Sequence, residues 1–217
     1  MIDWVVRERA SLSPDGGTFL LDGSAPDRTE RGIYTYRRGE GAPRLVIEHG
    51  WDAAWSPDAT RIAFVSLGAG SLRRADLFVA DADGGDIVQL TNDTACDDDP
   101  VWNRDGTRIT FTRAPEGQGG YLPGMSCGGR SAAPDIYTVA ADGSDLAILT
   151  ASTSYGEMTP DWSPDGSRLV FQCFLNRNRI CIYNPATDRI REIYSRRDAG
   201  SDPSWSPNGR RIAFVVT

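Results

Sequence analysis

One pattern recurs along the chain and limits what it can fold into. Pro100-Val101-Trp102-Asn103-Arg104-Asp105-Gly106-Thr107-Arg108-Ile109-Thr110-Phe111 aligns residue for residue with Pro160 to Phe171 and with Pro203 to Phe214. Ala54 to Phe64 is a fourth copy, and Ser11 to Leu20 a weaker fifth in which Leu12 stands for the Trp. The Trp positions are spaced 43, 47, 60 and 43 residues apart. A unit of this length cannot bury an apolar face alone, so copies must stack on one another. The long spacing marks an insertion at residues 114–134.

Each unit reads as four short strands. Ser-Pro-Asp-Gly is a turn, with Pro presetting φ, Asp suiting the next position and Gly closing it. One strand enters that turn at the Trp and a second leaves it. Third strands are expected at Gly32–Tyr36, Asp76–Ala80, Asp135–Val139 and Arg179–Tyr183, and fourth strands at Arg44–Glu48, Asp86–Leu90, Asp145–Leu149 and Asp188–Ile193. Polar turns such as Asp83-Gly84-Gly85 separate third from fourth. Four strands every 40 to 45 residues is the spacing of propeller blades. The expected fold is therefore an all-β propeller of four-stranded antiparallel blades, four complete and a fifth partial. The units run over about 7–49, 50–95, 96–155, 156–199 and 200–217, in a single domain. Two closures are open: residues 1–6 add an outer strand to the last unit and complete a five-bladed ring, or the chain is part of a six- or seven-bladed propeller.

Composition excludes several classes. Among 217 residues, hydrophobic ones make 40% and charged ones 24%, as in folded globular domains. The net charge of −7 argues against a broad phosphate-binding face, so no nucleic-acid partner is expected. The longest apolar runs, such as Ile62-Ala63-Phe64-Val65, fall far short of a membrane span. The first eight residues carry Asp3 early and lack the apolar core of a signal peptide.

The Pro-x-Trp-Ser-Pro-Asp-Gly-x-x-Ile-Ala-Phe pattern, followed by Asp-Ile-Tyr and a terminal Leu-Thr (Leu90-Thr91, Leu149-Thr150), resembles the TolB-type, WD-like β-propeller repeat over essentially the whole chain. The same repeat occurs in propellers of prolyl-oligopeptidase-like and tricorn-like proteases, so it identifies a fold better than an activity. The resemblance implies a non-enzymatic scaffold that binds a peptide or protein in the cell envelope. The rival it implies is the gating propeller of a serine peptidase whose catalytic domain is absent from this chain. A sugar-processing propeller is a third reading and would need acids at its channel mouth.

Several constellations bear on these readings. Trp55, Trp102, Trp162 and Trp205, and the Arg six positions after each, recur with the blade and are expected to pack between blades. Gly124-Met125-Ser126-Cys127-Gly128 fits a nucleophile elbow, but no helix pattern follows and the one histidine, His49, belongs to another unit. Asp81 to Asp86 lacks the closing Glu of a calcium loop and reads as a hairpin turn. Cys96 lies in a blade-to-blade loop and Cys127 in the second-to-third loop of the very next unit, two loops that emerge on one face. Cys173 and Cys181 are centred on Arg177, as opposed residues of a hairpin would be. Both pairs are expected to be disulfides, which fits a periplasmic or extracellular setting. Finally, Asp52, Asp99, Thr159 and Asp202 stand three before each Trp, with Arg9 at the matching place in the first unit. On innermost strands they would ring one channel mouth, with Asp97, Asp98 and Glu157 just upstream, and draw in a cationic peptide or calcium. The competing expectation is that each Asp caps the start of its strand. No other cofactor is expected.

Overall fold

The computed structural model describes residues 5–24, 31–67, 75–115, 134–150, 156–174, 178–194 and 200–216. Among them the chain is all β. The first sheet holds β1 (Val5–Leu12), β2 (Thr18–Ser24), β3 (Arg31–Arg37) and β4 (Arg44–Glu48). The second holds β5 (Gly50–Trp55), β6 (Arg61–Leu67), β7 (Ala75–Asp81) and β8 (Val88–Gln89). The third holds β9 (Cys96–Trp102), β10 (Arg108–Ala114), β11 (Asp135–Ala140) and β12 (Ala147–Thr150). The fourth holds β13 (Gly156–Trp162), β14 (Leu169–Phe174), β15 (Asn178–Asn184) and β16 (Arg189–Tyr194). A two-stranded fifth sheet pairs β17 (Gly200–Trp205) with β18 (Ile212–Val216). All pairings are antiparallel and sequential, and the first strands β1, β5, β9, β13 and β17 touch one another in turn. These are propeller blades with their first strands innermost.

The turn that opens each blade is held by its own side chains. In the second blade Ser56 Oγ donates to Asp58 Oδ1 at 2.6 Å, and the Arg61 N–H donates back to Ser56 Oγ at 2.9 Å. The same bonds recur at Ser163, Asp165 and Arg168. The fourth turn position is left-handed, at φ 70° for Gly106 and 72° for Gly166, which glycine adopts without steric cost. Ala59 takes that position in the second blade at φ 58°.

The core lies between blades. Leu20, Ile33 and Ile47 of the first pack on Ala53, Ile62 and Phe64 of the second. Phe111 and Phe171 repeat the place of Phe64, and all three rings are fully buried. Truncating such a ring to Ala removes about 3–5 kcal/mol. The Trp residues join blades as expected from their period. The Trp102 indole N–H donates to Ala54 O at 3.1 Å, and the Arg61 guanidinium lies 4.7 Å from the centre of the Trp102 ring. Asp81 to Asp86 is a hairpin turn, with Gly84 N–H donating to Asp81 O at 2.9 Å.

Three expectations need correction. Val5 and Val6 pair with Ser24 and Gly23 in the innermost strand of the first blade, so they are not an outer strand of the last; residues 1–4 lie outside the described residues. Cys173 and Cys181 are bonded, with Cα atoms 5.9 Å apart, but they are diagonal neighbours: Cys173 pairs with Arg179 and Cys181 with Phe171. The hairpin is thus centred one residue earlier than Arg177. Cys96 opens β9, opposite Ala114, instead of lying in a loop. It is disulfide-bonded, while Cys127 and the Gly124–Gly128 motif lie outside the described residues.

Candidate functional site at the channel mouth

The innermost strands enclose a channel cavity of about 260 Å³, to which all five blades contribute, from Ala10 and Ser11 through Asp52, Pro100, Asp161 and Asp202. Each of β5, β9, β13 and β17 breaks register just before its Trp, between Trp51 and Ala54 in the first case and between Ser201 and Ser204 in the last. The residue at the break is left-handed, at φ 49° for Asp52, 53° for Asp99, 50° for Thr159 and 50° for Asp202. That is a β-bulge, which bends a strand and re-aims a side chain. It also explains the residue type: the short polar side chain of Asp tolerates this backbone by bonding locally. The aspartates therefore do not cap strand starts. They sit inside the strands, at the bulges, and Asp52 and Asp202 line the channel cavity.

The bulges bring acids together. Carboxylate oxygens of Asp52, Asp98 and Asp99 lie within 4.8 Å of one another, and all three residues are buried. Thr112 Oγ1 donates to Asp99 Oδ2 at 3.3 Å and accepts from the Thr159 N–H at 3.2 Å, so β13 is tied to the same cluster. Two unit charges at that separation repel by about 3 kcal/mol at an effective dielectric of about 20. Asp202 lines the same cavity but is exposed, accepting from Ser201 Oγ at 2.8 Å. For Arg9 only the strand position is described.

Asp97 and Glu157 stand at matching places in successive blades, and the structure gives them internal partners. Arg113 on β10 grips Asp97 through Nε at 2.6 Å and Nη2 at 2.9 Å, and Thr91 Oγ1 donates at 2.6 Å. The same Arg reaches Asp93 Oδ2 at 2.9 Å. In the next blade the place of Arg113 is taken by Cys173, directly opposite Glu157. Glu157 is fully buried, accepts from Thr150 Oγ1, and has no hydrogen-bond partner for Oε1 among the described residues. Burial pushes its carboxyl up to about 7, and nearby Asp135 adds to the rise. Burial, then Asp97, likewise raises Asp76 to about 6.

Sequence reasoning missed Asp161 and Arg113. Asp161 lines the channel and accepts from the Trp205 N–H at 2.6 Å, tying the fourth blade to the fifth. Its only signal was an acid directly before a repeat Trp, where the other copies have Ala54, Val101 and Ser204.

No protein-family model matches the chain. It is 28% identical over 156 residues to a TolB homolog of Chlorobium luteolum, which covers 72% of the chain and 31% of that protein. It is 26% identical over 203 residues to the uncharacterized peptidase YuxL of Bacillus subtilis, covering 75% of the chain and 29% of YuxL. The chain thus spans less than a third of these relatives. A solved TolB-like protein of Agrobacterium tumefaciens superposes with a TM-score of 0.75 at 22% identity, covering 97% of this chain and 69% of that one. In fold, the chain is a TolB-type β-propeller.

Proposed function

We propose that the chain is a non-enzymatic scaffold that binds a basic peptide segment of a protein partner at the acidic channel mouth. The observation that supports this most is the convergence of Asp52, Asp98 and Asp99, buried and with carboxylate oxygens within 4.8 Å of one another, at or beside the strand bulges, with Asp52 also lining the channel cavity. Likeness to proteins named for the Tol-Pal system supports a cell-envelope setting, periplasmic or extracellular, and disulfides fit an oxidising compartment. The same carboxylates have the oxygen chemistry that calcium prefers, so the ion is a candidate co-ligand at the mouth. No helix among the described residues is long and apolar enough to cross a membrane.

The test is an Asp52→Asn, Asp98→Asn, Asp99→Asn variant titrated with calcium and with basic peptides. Asn also tolerates the left-handed backbone, so the bulges survive while the charge is lost. Wild type should bind in a salt-sensitive way and the variant should not. Equal binding by both, or by neither, would refute the reading. The likeness to YuxL favours a second reading, a propeller that gates a peptidase domain. A hydrolase domain encoded in the same reading frame is what that reading requires.

A further inference from the structure

The end of the propeller opposite the acidic mouth, where the Ser-Pro-Asp-Gly turns lie, carries a groove that the repeat itself interprets. Between the second and third blades Arg61 lies over the Trp102 ring, 4.7 Å from its centre, and Nη2 donates to Gly106 O at 2.9 Å. One blade later the matching trio is Arg108, Trp162 and Gly166. Here Arg108 turns away, its Nη2 donating to Asp145 O at 2.6 Å and its Nε to Thr138 Oγ1 at 3.2 Å on its own blade. Among the described residues no guanidinium lies over Trp162. Trp162, Gly166, Leu149 and Pro185 instead face a groove of about 510 Å³. The ring stays fixed, because its indole N–H donates to Thr110 Oγ1 at 3.0 Å.

We infer that this groove binds the guanidinium of an arginine side chain on a partner polypeptide, stacked on Trp162 and donating to Gly166 O, as Arg61 does within the chain one blade earlier. The aromatic face attracts the cation, and the planar guanidinium both stacks and donates in that plane. Asp105 and Asp165 on the rim are held ionised by hydrogen bonds from Thr107 and Ser163 respectively. Arg108, held on its own blade, and Arg104 also line the groove and oppose a further cation, the Arg104 stem lying 3.4 Å from the place of a Cβ on Gly166. The other turns carry Pro57 and Pro164 at the position of Arg104, so Arg104→Pro keeps a turn residue while removing part of that repulsion. This site is independent of the acidic mouth, and loss of one leaves the other.

The test follows the six Trp indole N–H signals of the isotope-labelled chain by NMR during titration with Nα-acetyl-arginine methylamide. The neutral citrulline analogue, of the same shape, is the control. Arginine should shift the Trp162 indole saturably, citrulline about tenfold more weakly, as expected for losing a desolvated cation–π contact. Arg104→Pro should tighten arginine binding. Arg61→Ala should make the Trp102 indole respond to arginine as well, because it opens the same trio. Equal responses to arginine and citrulline, no shift at Trp162, or uniform shifts at all indoles would overturn the assignment.

Discussion

Glu157 makes stability depend on pH with an unusual sign for a carboxylate. It is fully buried, faces Cys173 where the previous blade offers Arg113, and accepts a side-chain hydrogen bond from Thr150. Its pKa rises from the ordinary 4.5 to about 7, so between those values the folded chain holds a proton that the unfolded chain releases. Its contribution is therefore full below pH 4.5 and lost as pH climbs to about 7. A shift of that size corresponds to about 3 kcal/mol. Glu157→Gln keeps the size and hydrogen-bonding ends but cannot ionise. Urea unfolding of both proteins from pH 4 to 8 isolates the effect, since the raised carboxyls of Asp76 and Asp97 are present in both. Relative to wild type, the variant should gain about 3 kcal/mol across the window. A wild-type minus variant difference that stays flat with pH would refute the reasoning.

Other consequences follow from the same packing. Arg113→Met leaves Asp97 buried without its cation and should cost about 3–5 kcal/mol, whereas Arg179→Ala, breaking an exposed pair with Glu192, should cost under about 1 kcal/mol in denaturant unfolding. All four cysteines should resist alkylation until reduction, and opening the short Cys173–Cys181 loop alone should remove about 2–3 kcal/mol. Ala59→Gly should stabilise by about 1 kcal/mol in thermal melts, because the site is left-handed where the other blades carry Gly.

The blades were legible because their signals are local and repeated. A Trp, a Pro-Asp-Gly turn and an alternating strand recur at one spacing, and the described strands fall where that spacing puts them. Bulges were not legible, since they exist only as a relation between two strands. The sequence shows Asp52, Asp99 and Asp202 in a row of equivalent places but not the left-handed backbone that makes Asp suit them. For the same reason Asp97 looked like a neighbour of the ring, whereas Arg113, sixteen residues on, holds it inside the blade. The missed pairing depends on where β9 breaks register against β10. The Cys173–Cys181 bond was found from spacing alone while its register was one residue off, because a diagonal pair and an opposed pair lie at similar reach.

The claim that the acidic mouth is the binding face is most directly tested by amide hydrogen exchange with and without a basic peptide such as tetralysine. Protection should gather on Asp52 to Ala54 and Asp97 to Val101, at the bulges beside the buried carboxylates, and fade as salt is raised. Protection confined to the turn end around Asp58 and Asp105, or none anywhere, would contradict it.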